Sequence, residues 1–458
     1  MQIANKKSSE LTNLFPILEN KEVDIKKEIM SGVTIFLTMA YIIAVNPNIL
    51  SQSGMPAGAL VTGTCLAAAV GCFLMGVLAD LPFALASGMG LNAYFTYTVV
   101  LGMGVSWEVA LTAVFVEGIV FIILSLFKVR EMVVNSIPIN MKIAVSGGIG
   151  LFIAIIGFIN CGLVVANEST LISLGEFNPS VIISCIGLVI IAALSKKNVK
   201  GSILIGIVVS ALIAWVYALI NPIAATELGI YLPNGIFKFE SIAPIAGKLD
   251  FSYATNPANL TNFLLVLCTF LFVDFFDTIG TIVGVASKSN MLDENGHVPR
   301  VGRALLADAC ATTIGSALGV STVTTYVESS TGVVEGGKTG YTAITVGVLF
   351  LLAMFLSPIF IAIPSCATSP ALIYVGYLML SAVKDIDFDD ITEGVPAFIT
   401  IGTMAFTYSI GDGLTLGVLS YVVINLLYNL ISPKEERKHV SVIMMILAIL
   451  FILKLIYL

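Results

Sequence analysis

The sequence predicts an all-α integral membrane protein of fourteen transmembrane segments arranged as two inverted seven-segment repeats. Three observations carry this. Of 458 residues, 57% are hydrophobic and 11% are charged, where a soluble chain carries about 25% charge. Apolar runs of spanning length recur along the chain. The two halves also share residue patterns in the same order. This composition excludes a soluble enzyme, a disordered chain and a secreted disulfide scaffold. A net charge of −7 without a long basic run excludes nucleic acid as a partner. Seven Cys without a CxxC read as small buried apolar residues, and two His leave little for metal chemistry, so no metal or cofactor is expected.

A spanning helix needs about 20 largely apolar residues. The runs are 30–47, 58–78, 83–101, 106–127, 139–161, 179–195, 201–220, 260–286, 303–319, 322–334, 341–360, 368–383, 395–410 and 412–431, numbered here as segments 1 to 14. A further apolar run, 440–458, follows the charged break Pro433 to His439 and either crosses or lies along the inner surface. Residues 1–28 are polar and carry Lys6, Lys7, Lys21, Lys26 and Lys27, so segment 1 reads as a span rather than a signal.

The basic residues test this map through the positive-inside rule. With the N-terminus in the cytoplasm, inner loops hold Lys128, Arg130, Lys196, Lys197, Lys200, Lys288, Arg300, Arg303, Lys338, Lys384, Lys434, Arg437 and Lys438. Lys142 sits at an inner helix end, where it can snorkel. Lys238 and Lys248 fall in the long outer loop 221–258, and Lys454 is unassigned. Nineteen of 22 basic residues are thus inside, which predicts a multi-pass protein of the cell membrane, embedded in lipid, with both termini cytoplasmic.

Segments 3 and 10 are not ordinary helices. The first opens with Phe83 to Phe95, rich in Gly and small residues. The second alternates β-branched residues from Val320, reaches Glu328, and continues through clustered Ser, Thr and Gly to Gly340. Irregular backbone at membrane depth survives only where protein or a cavity surrounds it, and paired broken segments in the two halves of a carrier mark its substrate site. The halves do correspond. Gly71 and Gly88 match Gly315 and Gly332, each pair 17 apart; Ile137-Pro138 precedes Gly150 as Ile363-Pro364 precedes Gly376; Gly206 matches Gly417. Seven is odd, so the second half enters from the opposite face.

Acids within the spans are Glu117, Asp274, Asp277, Asp308 and Glu328, and no Lys or Arg lies at comparable depth. Each charged side chain there costs about 2.5–3.5 kcal/mol or more, so these acids are protonated, hydrated or ligand-bound. That is the chemistry of a proton-coupled site. Asp274 and Asp277 share one helix face. Asp277 precedes Thr278-Ile-Gly-Thr281, a carboxylate and two hydroxyls beside a flexible Gly. Tyr94, Phe95 and Tyr326 are aromatic candidates for stacking on a flat ring.

Gly332 to Thr339 fits the phosphate-loop pattern GxxxxGK(S/T) in full. The pattern needs a buried strand before it and a soluble α/β domain around it; here it joins two membrane segments, so it reads as a Gly-rich turn. An intramembrane aspartyl protease is also disfavoured, because Asp277 follows Phe276 and Asp412 lies in Ser-Ile-Gly-Asp.

Ala84 to Phe95, Phe272 to Thr281, Ala307-Asp308, Ser321 to Ser329 and Gly336 to Gly340 together resemble the nucleobase–cation symporter-2 family, in its AzgA-like purine permease branch. The likeness covers nearly the whole chain, with Ser87 standing where the branch is expected to have Pro. It implies a uracil-permease-like fold, with a core domain of residues 30–127 and 259–360 and a gate domain of 128–222 and 361–432. A cytoplasmic segment 1–29, an extracellular loop 223–258 and a C-terminal stretch 433–458 complete the chain. The resemblance further implies import of hypoxanthine, guanine or adenine with protons, by a secondary transporter rather than an enzyme. The family's functional positions map to Asn92, Asp277, Asp308 and Glu328. With these, Tyr94, Phe95, Thr278, Tyr326, Val327 and Ser329 are the expected substrate contacts. Asp274 and Asp308 would support Asp277 and Glu328 in proton coupling, with backbone N–H groups near Gly88 and Val327 to Ser330 as ring donors. A homodimer is compatible with such a chain. The alternative within transport, an anion carrier of the same fold, would want a neutral or basic centre; an intramembrane enzyme lacks a complete motif.

Overall fold

The computed structural model describes residues 16–18, 23–126, 137–288, 291, 298 and 300–457. Of the basic residues that oriented the chain, Lys6, Lys7, Lys21, Lys128 and Arg130 lie outside the described residues, as do the side chains of Lys288 and Lys454. Among the described residues, nine helices are long and apolar enough to cross a membrane, and Gly340–Ala353, Ile391–Phe406 and Val442–Ile452 are shorter apolar helices. The expected class, a helical integral membrane protein, is what is found.

Two elements differ from expectation. Segment 1 is interrupted: Ile25–Met39 and Ile42–Leu50 are separated by Ala40 and Tyr41, where Ile43 N–H turns back to Ala40 C=O at 3.1 Å. Segment 8, as its run 260–286 predicts, is one unbroken helix, Pro257–Lys288; it continues through Gly280, because one helical Gly costs only about 1 kcal/mol. Segment 10 holds a strand followed by a helix, Ser329–Glu335, so the Ser/Thr/Gly cluster is helical after all.

Four short strands occur among the described residues. They are β1 (Leu85–Ser87), β2 (Val164–Asn167), β3 (Leu171–Leu174) and β4 (Val323–Thr325). β2 and β3 form a hairpin between segments 5 and 6, whereas β1 and β4 join the two broken segments.

Most of the glycines matched by sequence occupy equivalent places, but Gly88 directly follows strand Leu85–Ser87 whereas Gly332 lies within helix Ser329–Glu335 against Ser31 and Ile35. A Cβ on Gly71 would stand 3.0 Å from Leu85 Cβ, and one on Gly315 would stand 2.6 Å from Val323 Cγ2, so both make room for the strand pair. Gly150 and Gly376 touch each other: a Cβ on Gly376 would lie 2.4 Å from Gly150 O, and the reverse distance is 2.8 Å. Gly206 packs on Ile191 and Gly417 on Thr400, each on the helix preceding its own.

Packing divides the helices. Segment 9 packs on segments 2 and 4, segment 11 on segments 1 and 2, and segment 1 on segment 2, with segment 8 against segment 4. Segments 5, 12, 13 and 14 pack together, with 6 and 7 against 12. The long loop 221–258 sits on the first group. Thr62 Oγ1 donates to Glu240 O (2.8 Å), Ser357 Oγ to Lys238 O (2.7 Å), and Gly247 N–H to Ala317 O (2.7 Å). One stretch of the seam between the groups is apolar: Ile137, Met141, Val145, Leu414 and Val418 meet Phe272 of segment 8 and Met444, Leu447 and Phe451 of the C-terminal helix Val442–Tyr457, whereas elsewhere Asn48 bonds Ser365, Thr98 bonds Tyr408 O and Asn160 bonds the Tyr97 hydroxyl across it.

Candidate functional site

The strand pair is antiparallel, with Leu85 opposite Thr325, Ala86 opposite Thr324 and Ser87 opposite Val323. Val323, Thr324 and Thr325 are β-branched and favour extended backbone. The pairing extends past the strands. Tyr326 N–H donates to Ala84 O (2.9 Å) and Gly88 N–H to Thr322 O (3.0 Å). Ala84 N–H donates to Ser329 Oγ (3.0 Å), and the Tyr326 hydroxyl donates to Ser87 O (2.5 Å). Each broken segment thus satisfies the backbone of the other, as membrane depth demands.

Around this crossing the sequence-predicted acids come together. The Asp277 carboxyl stands beside the Thr324 hydroxyl, with Asp308 and Glu328 close enough to act on it electrostatically. Thr278 Oγ1 lies 3.0 Å from Asp308 Oδ2, 3.3 Å from Asp274 Oδ1 and 3.0 Å from Thr324 Oγ1. One hydroxyl carries one hydrogen, so it serves two acids and a second hydroxyl in turn.

Exposure separates the expected contacts. Asp277 and Glu328 are half-buried and Val327 is 54% exposed. Asn92, Phe95, Asp274, Thr278, Asp308 and Ser329 are each 0% exposed. Phe95 packs within the hydrophobic core. Tyr94 is buried edge-on against Phe270, with centroids 5.0 Å apart. Tyr326 keeps its ring beside the acids but spends its hydroxyl on Ser87.

Asn92 is bonded within the protein. Ser87 Oγ donates to Asn92 Oδ1 (3.0 Å), Asn92 Nδ2 to Asn46 Oδ1 (2.6 Å), Asn46 Nδ2 to Thr64 Oγ1 (2.7 Å), and Thr64 Oγ1 to Leu60 O (2.6 Å). This line braces segments 1, 2 and 3. The expected backbone donors are also engaged: Gly88 N–H on Thr322, Ser329 N–H on Tyr326 O (3.1 Å), and Ser330 N–H on Val327 O (3.0 Å). They hold the crossing together instead of facing a ring.

Sequence reasoning missed Tyr41. It lies at the interruption of segment 1, fully buried, and its hydroxyl donates to Glu328 Oε1 at 2.7 Å. No charge or spacing marks a Tyr inside an apolar run, so nothing in the sequence singled it out. Thr324 was hidden likewise among five β-branched residues.

The phosphate-loop match also resolves. Its first four residues lie within helix Ser329–Glu335 rather than in a loop, and Lys338 and Thr339 give their backbone N–H groups to the Glu28 carboxylate at 3.0 and 3.3 Å. The nest is filled from within. Purified protein should therefore show no Mg-dependent ATP binding, and Lys338→Ala should change nothing in a nucleotide-binding titration; specific binding lost in that variant would overturn this.

A helical membrane chain whose two interrupted segments cross beside buried acids has the build of a secondary carrier. The chain belongs to the nucleobase–cation symporter-2 family; the family described as "Permease family" matches residues 26–414. The guanine/hypoxanthine permease PbuG of Bacillus subtilis strain 168 is 41% identical over 444 residues, covering 94% of this chain and 97% of its own. The adenine permease AdeP of Escherichia coli K12 is 40% identical over 434 residues, covering 94% and 93%. Among solved structures, the transmembrane domain of the cyanobacterial bicarbonate transporter BicA shares the fold. Its TM-score is 0.66 over 85% of this chain and 98% of that one, at 14% identity.

Proposed function

We propose that this chain is a purine nucleobase permease that couples uptake to protons. The carrying observation is the pair of half-buried acids, Asp277 and Glu328, brought from segments 8 and 10 to one strand crossing. A purine is a flat ring with N–H donors at its edge, and two carboxylates accept such donors. Acids at the crossing suit that ring and repel an anion. The permeases named for adenine and for guanine and hypoxanthine support the substrate class. Proton coupling is supported by the Asp274–Thr278–Asp308 arrangement, in which a proton on either acid supplies the hydrogen that one hydroxyl lacks.

The helix packing supports a core of segments 1–4 and 8–11 beside a gate of 5–7 and 12–14, and the apolar runs with the distribution of Lys and Arg support fourteen spans with both termini cytoplasmic. In proteoliposomes, radiolabelled adenine, hypoxanthine or guanine should accumulate under an inward proton gradient and dissipate with a protonophore. Uptake that follows sodium and ignores pH would remove the coupling claim and leave the substrate claim standing. No uptake or competition by any purine would remove both.

A further inference from the structure

Broken segment 10 is held at both ends. At one end is the β1–β4 pair. At the other, past helix Ser329–Glu335, the chain turns at Gly336 with φ +112° and meets the start of segment 1. There Glu28, 4% exposed, receives Lys338 N–H on Oε1 at 3.0 Å and Thr339 N–H on Oε2 at 3.3 Å, and Oε2 also takes the Thr342 hydroxyl. Asp80 takes the next amide: Gly340 N–H donates to its Oδ1 at 2.9 Å, while Arg300 pairs with its Oδ2 at 2.8 Å. The glycines permit this approach, since a Cβ on Gly337 would lie 2.9 Å from Ser31 Cβ and one on Gly340 would lie 2.1 Å from Gly76 O.

We infer that Glu28 is a positioning residue for substrate binding, acting through Glu328, and that the phosphate-loop-like stretch is its docking nest. Two carboxylate oxygens facing two consecutive amides and a hydroxyl set both the height and the rotation of the nest. Charge-assisted bonds of this kind are about twice as strong as neutral ones. Helix Ser329–Glu335 is too short to hold its own direction, so the strand pair, its packing on segment 1 at Gly332 and Thr331, and the nest set it together. Glu328 is the residue immediately before that helix. Tilting the helix moves the Glu328 carboxyl away from Tyr41 and Asp277. Segment 1 thus governs the acid twice, through the Tyr41 hydroxyl and through Glu28.

This inference rests on the purine reading above, and its test separates the two. Wild type, Glu28→Gln, Glu328→Gln and the double variant are purified and checked for monodispersity. Each is titrated with the radiolabelled purine that wild type binds, and hydrogen–deuterium exchange of residues 326–340 is followed. Gln keeps the shape of Glu28 but offers one acceptor in place of two. Glu28→Gln should lower affinity by roughly tenfold or more, speed exchange across 329–340, and add little further loss on top of Glu328→Gln. Thr342→Val, which removes only the hydroxyl donor, should give a smaller loss in the same direction. Wild-type affinity in both Glu28→Gln and Thr342→Val, or fully additive losses in the double variant, would overturn the positioning role. If Glu28→Gln does not fold, Thr342→Val decides alone. If wild type binds no purine, the purine reading fails, and the exchange data still decide whether Glu28 holds the nest.

Discussion

Asp277→Asn and Glu328→Gln should each lower purine affinity by about 10- to 150-fold, the equivalent of one lost hydrogen bond to a charged group at about 1.5–3 kcal/mol. Both substitutions keep shape and remove the titrating acid. Both residues are half-buried, so neither variant leaves a cavity in the core, and both should reach the membrane folded. Uptake should lose its pH dependence along with its rate. Asp308 behaves differently: fully buried, and within 3.0 Å of Thr278 Oγ1, it holds the crossing from behind. Asp308→Asn should depress uptake more than equilibrium binding. Calorimetry beside uptake, on monodisperse protein, checks all three. Wild-type binding and pH-dependent uptake in both Asp277→Asn and Glu328→Gln would sink the site assignment.

Gly376→Val should be the most destabilising single change in segment 12. A Cβ there meets Gly150 O at 2.4 Å and Ala154 Cβ at 2.7 Å. The first is backbone, which no rotamer change can relieve. Overpacking costs about 1–3 kcal/mol where side chains can yield, and this site should cost upwards of about 3 kcal/mol. Gly402→Ala is the contrast: its Cβ finds nothing nearer than 3.7 Å, inside helix Ile391–Phe406, and it should hold or raise Tm, since Ala is the better helix former. Thermal unfolding in detergent separates them. Equal midpoints for the two variants would show that the Gly150–Gly376 contact is not tight in solution.

Much of this was legible in the sequence, and the rest was hidden for definable reasons. Apolar runs located the helices because burial in lipid requires them. Gly and β-branched residues located the broken segments because neither suits a helix. Acids without cations marked residues that the structure brings together at the strand crossing, because charge at that depth is costly. The break at Ala40 and Tyr41 was not legible, because neither residue disfavours a helix and the interruption depends on what packs around it. Tyr41, Asn46 and Thr64 were invisible because a buried hydrogen-bond line depends on which helices meet, and one chain's spacing does not report that. Exposure was equally hidden: Phe95 and Val327 look alike as apolar letters near a motif, yet one is sealed and the other open.

The apolar seam has a mechanical consequence. Within the first helix group, strand pairing and the Asn92–Asn46–Thr64 line are directional bonds that break when register slips. Along the seam, Met141, Met444, Phe272, Phe451 and their neighbours make contacts whose energy depends on area and hardly on alignment. Unbranched Met side chains refit as their neighbours shift. Slippage along this apolar stretch therefore costs little, and register across the seam rests on the few directional bonds elsewhere on it, Asn48 to Ser365, Thr98 to Tyr408 and Asn160 to Tyr97.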